Sequence, residues 1–291
     1  MTKQLHGIIT ALITPFDRHG DIMEQGYQEN IEFQITSGVH GLVVLATAGE
    51  APSLSFEEKK RVIALALEAN AGRLPVLVGV GGTNARETFT LTEYSEAAGA
   101  DGLFVISPYF YKFTRDEYLA YYREISRRAK TQILCYNSTY AGMPLDPEAI
   151  AELAELPNVT ALKEGNPLQT AEVIRLTRGK LAVFTARDMY LYETMCMGGT
   201  GGIFFCANIA PKLSVELYES LKAGDYNRGL ELQFRLMPLV WELVARSYPS
   251  GIKAALNLLG KAGGHVRFPL TDYNQEEVAR LRRVLQDLEL L

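Results

Sequence analysis

The chain has 291 residues, 47% hydrophobic and 22% charged, and its 29 Lys and Arg stand against 34 Asp and Glu for a net charge of −5. It is too apolar and too evenly mixed for a disordered chain. The absence of a basic excess argues against a nucleic-acid or anionic-membrane partner. No apolar run approaches the roughly 18 residues of a membrane span. The start lacks the charged, apolar and small-residue regions of a signal peptide, so a cytoplasmic protein is expected. Cys135, Cys196 and Cys206 all lie in apolar segments and read as buried thiols of a reducing compartment.

Eight short apolar runs follow one another: Gly7–Phe16, Gly41–Ala46, Leu74–Val80, Gly102–Ile106, Gln132–Tyr136, Val159–Lys163, Leu181–Thr185 and Gly202–Cys206. Little alternation within them predicts strands buried on both faces, as in a parallel sheet. Their starts lie 21 to 34 residues apart, room for a crossover helix after each strand. Ser55 with Glu58 and Thr114 with Glu117 fit the capping box, and Asp146 before Pro147 fits an N-cap with Pro at the first helical position. Gly72, Gly99 and Gly179 stand where helices should stop. Together these predict a (β/α)₈ TIM barrel over residues 1–225, with an open doubly wound sheet as the alternative. Beyond it, 227–246, 251–260 and 274–290 read as helices with no strand between them, a C-terminal helical extension over 226–291 packed on the barrel.

In a barrel the chemistry sits at the C-terminal ends of the strands. The sixth run ends in Lys163. Burial disfavours its charged form, and a neutral amine attacks carbonyls to give a Schiff base; the same placement suits a rim lysine paired with Glu164. The fifth run ends in Tyr136, which reaches Lys163 from a neighbouring strand as a proton donor, or fills space at the rim. The second run ends Ala46-Thr47-Ala48-Gly49-Glu50, a small-residue turn whose N–H groups and Thr47 hydroxyl suit a carboxylate and also suit a plain βα turn. The fourth ends in Tyr109, Phe110 and Tyr111, which line a pocket or a subunit contact. Gly79–Gly82 and Gly198–Gly202 do not form a dinucleotide fingerprint, and no phosphate-loop or nucleophile-elbow sequence occurs. His6, His19, His40 and His265 lack metal-ligand spacing, so no metal is expected.

Taken in order, Thr14-Pro15-Phe16, Thr47-x-Gly49-Glu50, Pro108-Tyr109, Tyr136-Asn137, Lys163-Glu164 and Gly198-Gly199-x-Gly201 resemble the dihydrodipicolinate synthase / N-acetylneuraminate lyase family of class I aldolases. The likeness runs essentially the whole length. It implies that Lys163 forms an imine with pyruvate or another 2-oxo acid and that Tyr136 shuttles protons. Thr47 and the Ala48 N–H would bind the carboxylate and help place Tyr136, and the carbonyl near Ile203 would face the substrate. It also implies a homotetramer built as a dimer of dimers, without a metal or organic cofactor.

The departures are as informative. The family's synthases carry Gly-Thr-Thr-Gly-Glu where this chain has one hydroxyl fewer. They have a relay tyrosine, contributed across a subunit contact, where Phe110 stands, and phenylalanine passes no proton. They follow the shuttle tyrosine with an arginine that holds the aldehyde's carboxylate; here residues 137–142 contain none, which predicts poor binding of aspartate semialdehyde. The lyases' polar sugar-binding residues are replaced by Ala186-Arg187-Asp188-Met189 and Phe205, leaving Arg187 as a new rim cation. The resulting expectation is a 2-oxo acid lyase acting by aldol cleavage, condensation or dehydration of a 2-oxo-3-deoxy acid. A genuine dihydrodipicolinate synthase with a relocated carboxylate site is the first alternative, and a non-catalytic 2-oxo acid binder the second.

Overall fold

The computed structural model describes residues 3–138 and 144–291. Eight parallel strands close into a barrel in chain order: β1 (Gly7–Ala11), β2 (Gly41–Val44), β3 (Val76–Gly79), β4 (Gly102–Ile106), β5 (Gln132–Asn137), β6 (Val159–Glu164), β7 (Ala182–Thr185) and β8 (Gly201–Phe204). Helices alternate with them: α1 (Glu24–Thr36), α2 (Phe56–Asn70), α3 (Ala85–Ala97), α4 (Arg115–Arg128), α5 (Pro147–Leu153), α6 (Thr170–Thr177), α7 (Leu191–Cys196) and α8 (Pro211–Lys222). Three more follow without a strand: α9 (Tyr226–Val244), α10 (Ser250–Leu258) and α11 (Gln275–Asp287). The (β/α)₈ reading holds.

Local signals set many of these boundaries. The Ser55–Glu58 and Thr114–Glu117 capping boxes both form, and Asp146 caps α5 through Ala149 N–H. A further box, Asn274 with Glu277, starts α11. The side chains of α9, α10 and α11 share one apolar core with β1 and β8: Leu236, Leu239, Ile252, Leu281 and Leu285 pack in the same cluster as Ile8 and Phe204.

Three expectations need correction. β1 ends at Ala11 rather than Phe16, because Pro15 brings no N–H to the ladder and Phe16 instead bridges Ile22 and His265. β8 stops at Phe204, where a short 3₁₀ turn over Cys206–Asn208 takes over. Cys135 and Cys206 are buried as expected, but Cys196 is exposed. In α7 the helical period turns Leu191 and Thr194 to the core and leaves Cys196 on the outer side. Among the described residues no helix is long and apolar enough to cross a membrane.

Candidate active site

The strand register places the central pair. β5 and β6 align Tyr136 with Lys163, and β6 and β7 align Lys163 with Phe184. Both reactive side chains therefore stand near the C-terminal end of adjacent strands. Lys163 is 7% exposed, its Nζ 4.4 Å from the Tyr136 ring centre and 5.4 Å from that of Phe104. Glu164 does not neutralise it. That carboxylate is buried and accepts hydrogen bonds from Asn137 Nδ2, Gln169 Nε2 and the Asn166 N–H.

Burial pulls the Lys163 ammonium down to about 8, against an upward pull from Asp188 and with a further downward push from Arg187. A lysine titrating there is about one-tenth neutral at pH 7, against about 0.04% for a free one. Burial holds the Tyr136 phenol protonated well into the alkaline range, opposed by a hydrogen bond from Ser138 and by the Arg187 charge. Lys163 thus has a nucleophilic form available beside a protonated phenol, the pairing that carbinolamine chemistry requires.

Asp188 was not among the residues singled out from the sequence, although it lies just past β7 on the rim where barrel chemistry is found. It is fully buried, and one carboxylate oxygen accepts the Cys206 N–H at 2.8 Å. The other, Oδ2, has no hydrogen-bond partner among the described residues. Burial raises this carboxyl to about 6. Its backbone carbonyl accepts from Gln233 Nε2 of α9 at 3.1 Å. Arg187 is half-buried; its Nε lies 3.5 Å from Gly165 O, and its charge acts on both Lys163 and Tyr136.

The turn after β2 is irregular. Leu45 and Glu50 both adopt left-handed φ, 56° and 53°, which non-glycine residues hold only where their surroundings enforce it. Glu50 N–H donates to Thr47 O and Gly49 N–H to Ala46 O, while the N–H groups of Thr47 and Ala48 are engaged by no backbone carbonyl among the described residues. Ala48 is buried, but Thr47 is exposed and faces a cavity of about 590 Å³ lined also by Val80, Glu87, Thr88, Phe104 and Tyr109. Ser138 supplies the hydrogen bond that opposes the rise of the Tyr136 phenol.

Ile203 is buried one residue before the end of β8, and Phe205 is half-buried with its ring against Tyr248. Tyr109 is half-buried on the cavity wall. Phe110 was expected to be buried at a subunit contact; within its own chain it is 83% exposed, at φ 87°, with Tyr111 beside it 66% exposed. Of the arginine-free stretch after Tyr136, Asn137 and Ser138 are buried and residues 139–142 lie outside the described residues.

A closed eight-stranded barrel with a buried lysine beside a tyrosine near the C-terminal ends of its strands is an arrangement suited to chemistry on a carbonyl. A model of the dihydrodipicolinate synthetase family matches residues 4–288. The chain is 37% identical over 285 residues to a 4-hydroxy-tetrahydrodipicolinate synthase of Methanoculleus marisnigri, covering 96% of this chain and 98% of the relative. A crystal structure of dihydrodipicolinate synthase from Thermotoga maritima superposes with a TM-score of 0.96 at 33% identity, covering 99% of this chain and all of that one. The Aquifex aeolicus dihydrodipicolinate synthase structure gives 0.95 at 30% identity, over 98% and 99%. The chain belongs to the dihydrodipicolinate synthetase family, and it is a lyase.

Proposed function

We propose that this enzyme binds pyruvate as an imine on Lys163 and condenses it with aspartate semialdehyde, as a 4-hydroxy-tetrahydrodipicolinate synthase. The carrying observation is the buried Lys163 amine, held near pH 8, against the protonated Tyr136 phenol. The neutral amine attacks C2 of pyruvate, and the C2 oxygen takes a proton delivered through Tyr136. A second proton expels that oxygen as water and leaves the imine. Loss of a C3 proton gives the enamine, whose C3 attacks the aldehyde carbon while the aldehyde oxygen takes a proton; the semialdehyde's amine then adds to C2 and displaces Lys163, which closes the ring and frees the enzyme. The Thr47 and Ala48 N–H groups and the Thr47 hydroxyl hold the pyruvate carboxylate, and the Ile203 carbonyl faces it. The imine is the reaction's only covalent device, so neither a metal nor an organic cofactor takes part.

The names of the relatives reverse the ranking drawn from the sequence, which placed the synthase second. Arg187 reconciles them. It stands just past β7, its charge felt at both Lys163 and Tyr136, and in this reading it receives the semialdehyde's carboxylate. A second reading, a lyase for another 2-oxo acid with a less acidic electrophile, is favoured by the missing arginine and by Phe110 in place of a relay tyrosine. Mass spectrometry of pyruvate incubated with aspartate semialdehyde, or with a set of uncharged aldehydes, separates them. The proposal expects the semialdehyde product with a kcat/KM in the common range of about 10⁴–10⁸ M⁻¹s⁻¹. Product from uncharged aldehydes alone supports the second reading. We further propose a homotetramer, a dimer of dimers.

A further inference from the structure

The motif residues Thr14, Phe16 and Glu50 play no part in the chemistry above, yet they converge on one place. Glu50 is 3% exposed and closes the turn that begins at Thr47. Its Oε1 lies 2.5 Å from the ammonium of Lys253, a residue of α10 that is itself 1% exposed. Its Oε2 accepts the Arg267 N–H at 3.0 Å. Lys253 also donates to His265 O at 2.7 Å and lies 4.2 Å from the Phe16 ring centre. The Arg267 guanidinium sits 4.2 Å from the same ring and bonds Gly20 O, Ser53 O and the Glu58 carboxylate. From the opposite side Thr14 Oγ1 donates to Gly49 O at 2.9 Å.

The second half of the turn is thus fixed from the β1 loop, from α10 and from the segment after α10, while its first half keeps two N–H groups for a ligand. A buried carboxylate survives only beside a partner; Lys253 is the cation in contact with Glu50, and the Arg267 charge acts on it from further away. We infer that Lys253 is a positioning residue: through Glu50 it sets the turn whose Thr47 and Ala48 N–H groups receive the 2-oxo acid carboxylate. This role rests on the Schiff-base reading proposed above. It gives the C-terminal extension a part in substrate affinity.

The test is borohydride trapping of the full-length protein over a pyruvate titration, with thermal melts to establish folding. Lys253→Met removes the cation, and Glu50→Gln removes the charge while keeping an acceptor for the Arg267 N–H. Each is expected to raise the half-saturating pyruvate by about 10- to 100-fold, with the trapping rate at saturation within about 3-fold of wild type. The double variant is expected to be no worse than the worse single one, since both act along one line. Should both single variants fail to fold, the double one, which leaves no buried charge unpaired, is expected to show the same raised half-saturation. Folded variants that saturate at wild-type pyruvate, effects that multiply in the double variant, or a fall in the saturated rate at unchanged half-saturation would each overturn the inference. A wild-type protein that forms no adduct overturns the Schiff-base reading itself, a result seen before any variant is made.

Discussion

The protonation of Lys163 is set by burial and by two charges of opposite sign. Burial and Arg187 favour the neutral amine, and Asp188 favours the ammonium. Because the neutral amine is the nucleophile, the rate of imine formation is expected to rise with pH through about 8 and level off above it. Asp188→Asn removes the charge that holds the titration up and is expected to move the rising limb to lower pH; Arg187→Gln is expected to move it to higher pH. Rapid-quench trapping across a pH series reads both shifts, and shifts of the same sign would contradict the assignment. Tyr136→Phe is expected to slow turnover by about 10² or more, checked by steady-state kinetics; unchanged turnover would place the proton donor elsewhere. The meeting of Lys163 and Tyr136 was legible in the sequence because each ends an apolar run on neighbouring strands, where a polar residue is conspicuous. Asp188 was not, because its burial comes from the turn after β8 and from Gln233 of α9, contacts far away in the chain.

At the scale of elements, the strands and most helix starts were legible because each rests on local chemistry: apolar runs for the buried ladder, and capping boxes at α2 and α4. The turn after β2 was legible only in part. Its small residues suggested a carboxylate cradle, but its left-handed Leu45 and Glu50 are packed by neighbours from the loop after β1, from β3 and from α10. One such neighbour is Gly79, at the end of β3. A Cβ there would collide with the Leu45 carbonyl, so the glycine lets β3 close against the strained turn. Gly79→Ala is therefore expected to cost about 1–3 kcal/mol of stability through overpacking, measured by urea unfolding; a loss below about 0.5 kcal/mol would mean that the turn relaxes freely. The extension braces the rim at two points, the turn after β2 through Lys253 and Arg267 and the turn after β7 through Gln233. Nothing in the helical periodicity of α9 or α10 signals this, because a buried Lys or Gln interrupts the apolar pattern without naming its partner.

At the scale of the molecule, two groups of exposed large apolar side chains among the described residues matter most. One is formed by Phe110 and Tyr111 past β4; the other is a stripe along α9 formed by Tyr226, Leu230, Phe234, Trp241 and Val244. A dimer of dimers uses two distinct isologous interfaces, and in the tetramer proposed above these two groups supply them. Phe110→Ala is expected to weaken association and lower activity, while Phe110→Tyr leaves the assembly intact, with mass in solution by light scattering as the check. A wild-type monomer at working concentration would remove this proposal. The account as a whole rests on one covalent bond. Reduction with borohydride in the presence of pyruvate, followed by peptide mapping, tests it most directly. The expected result is a single pyruvyl adduct on the peptide that contains Lys163, absent in Lys163→Arg. No adduct, or an adduct on another lysine, would contradict the account.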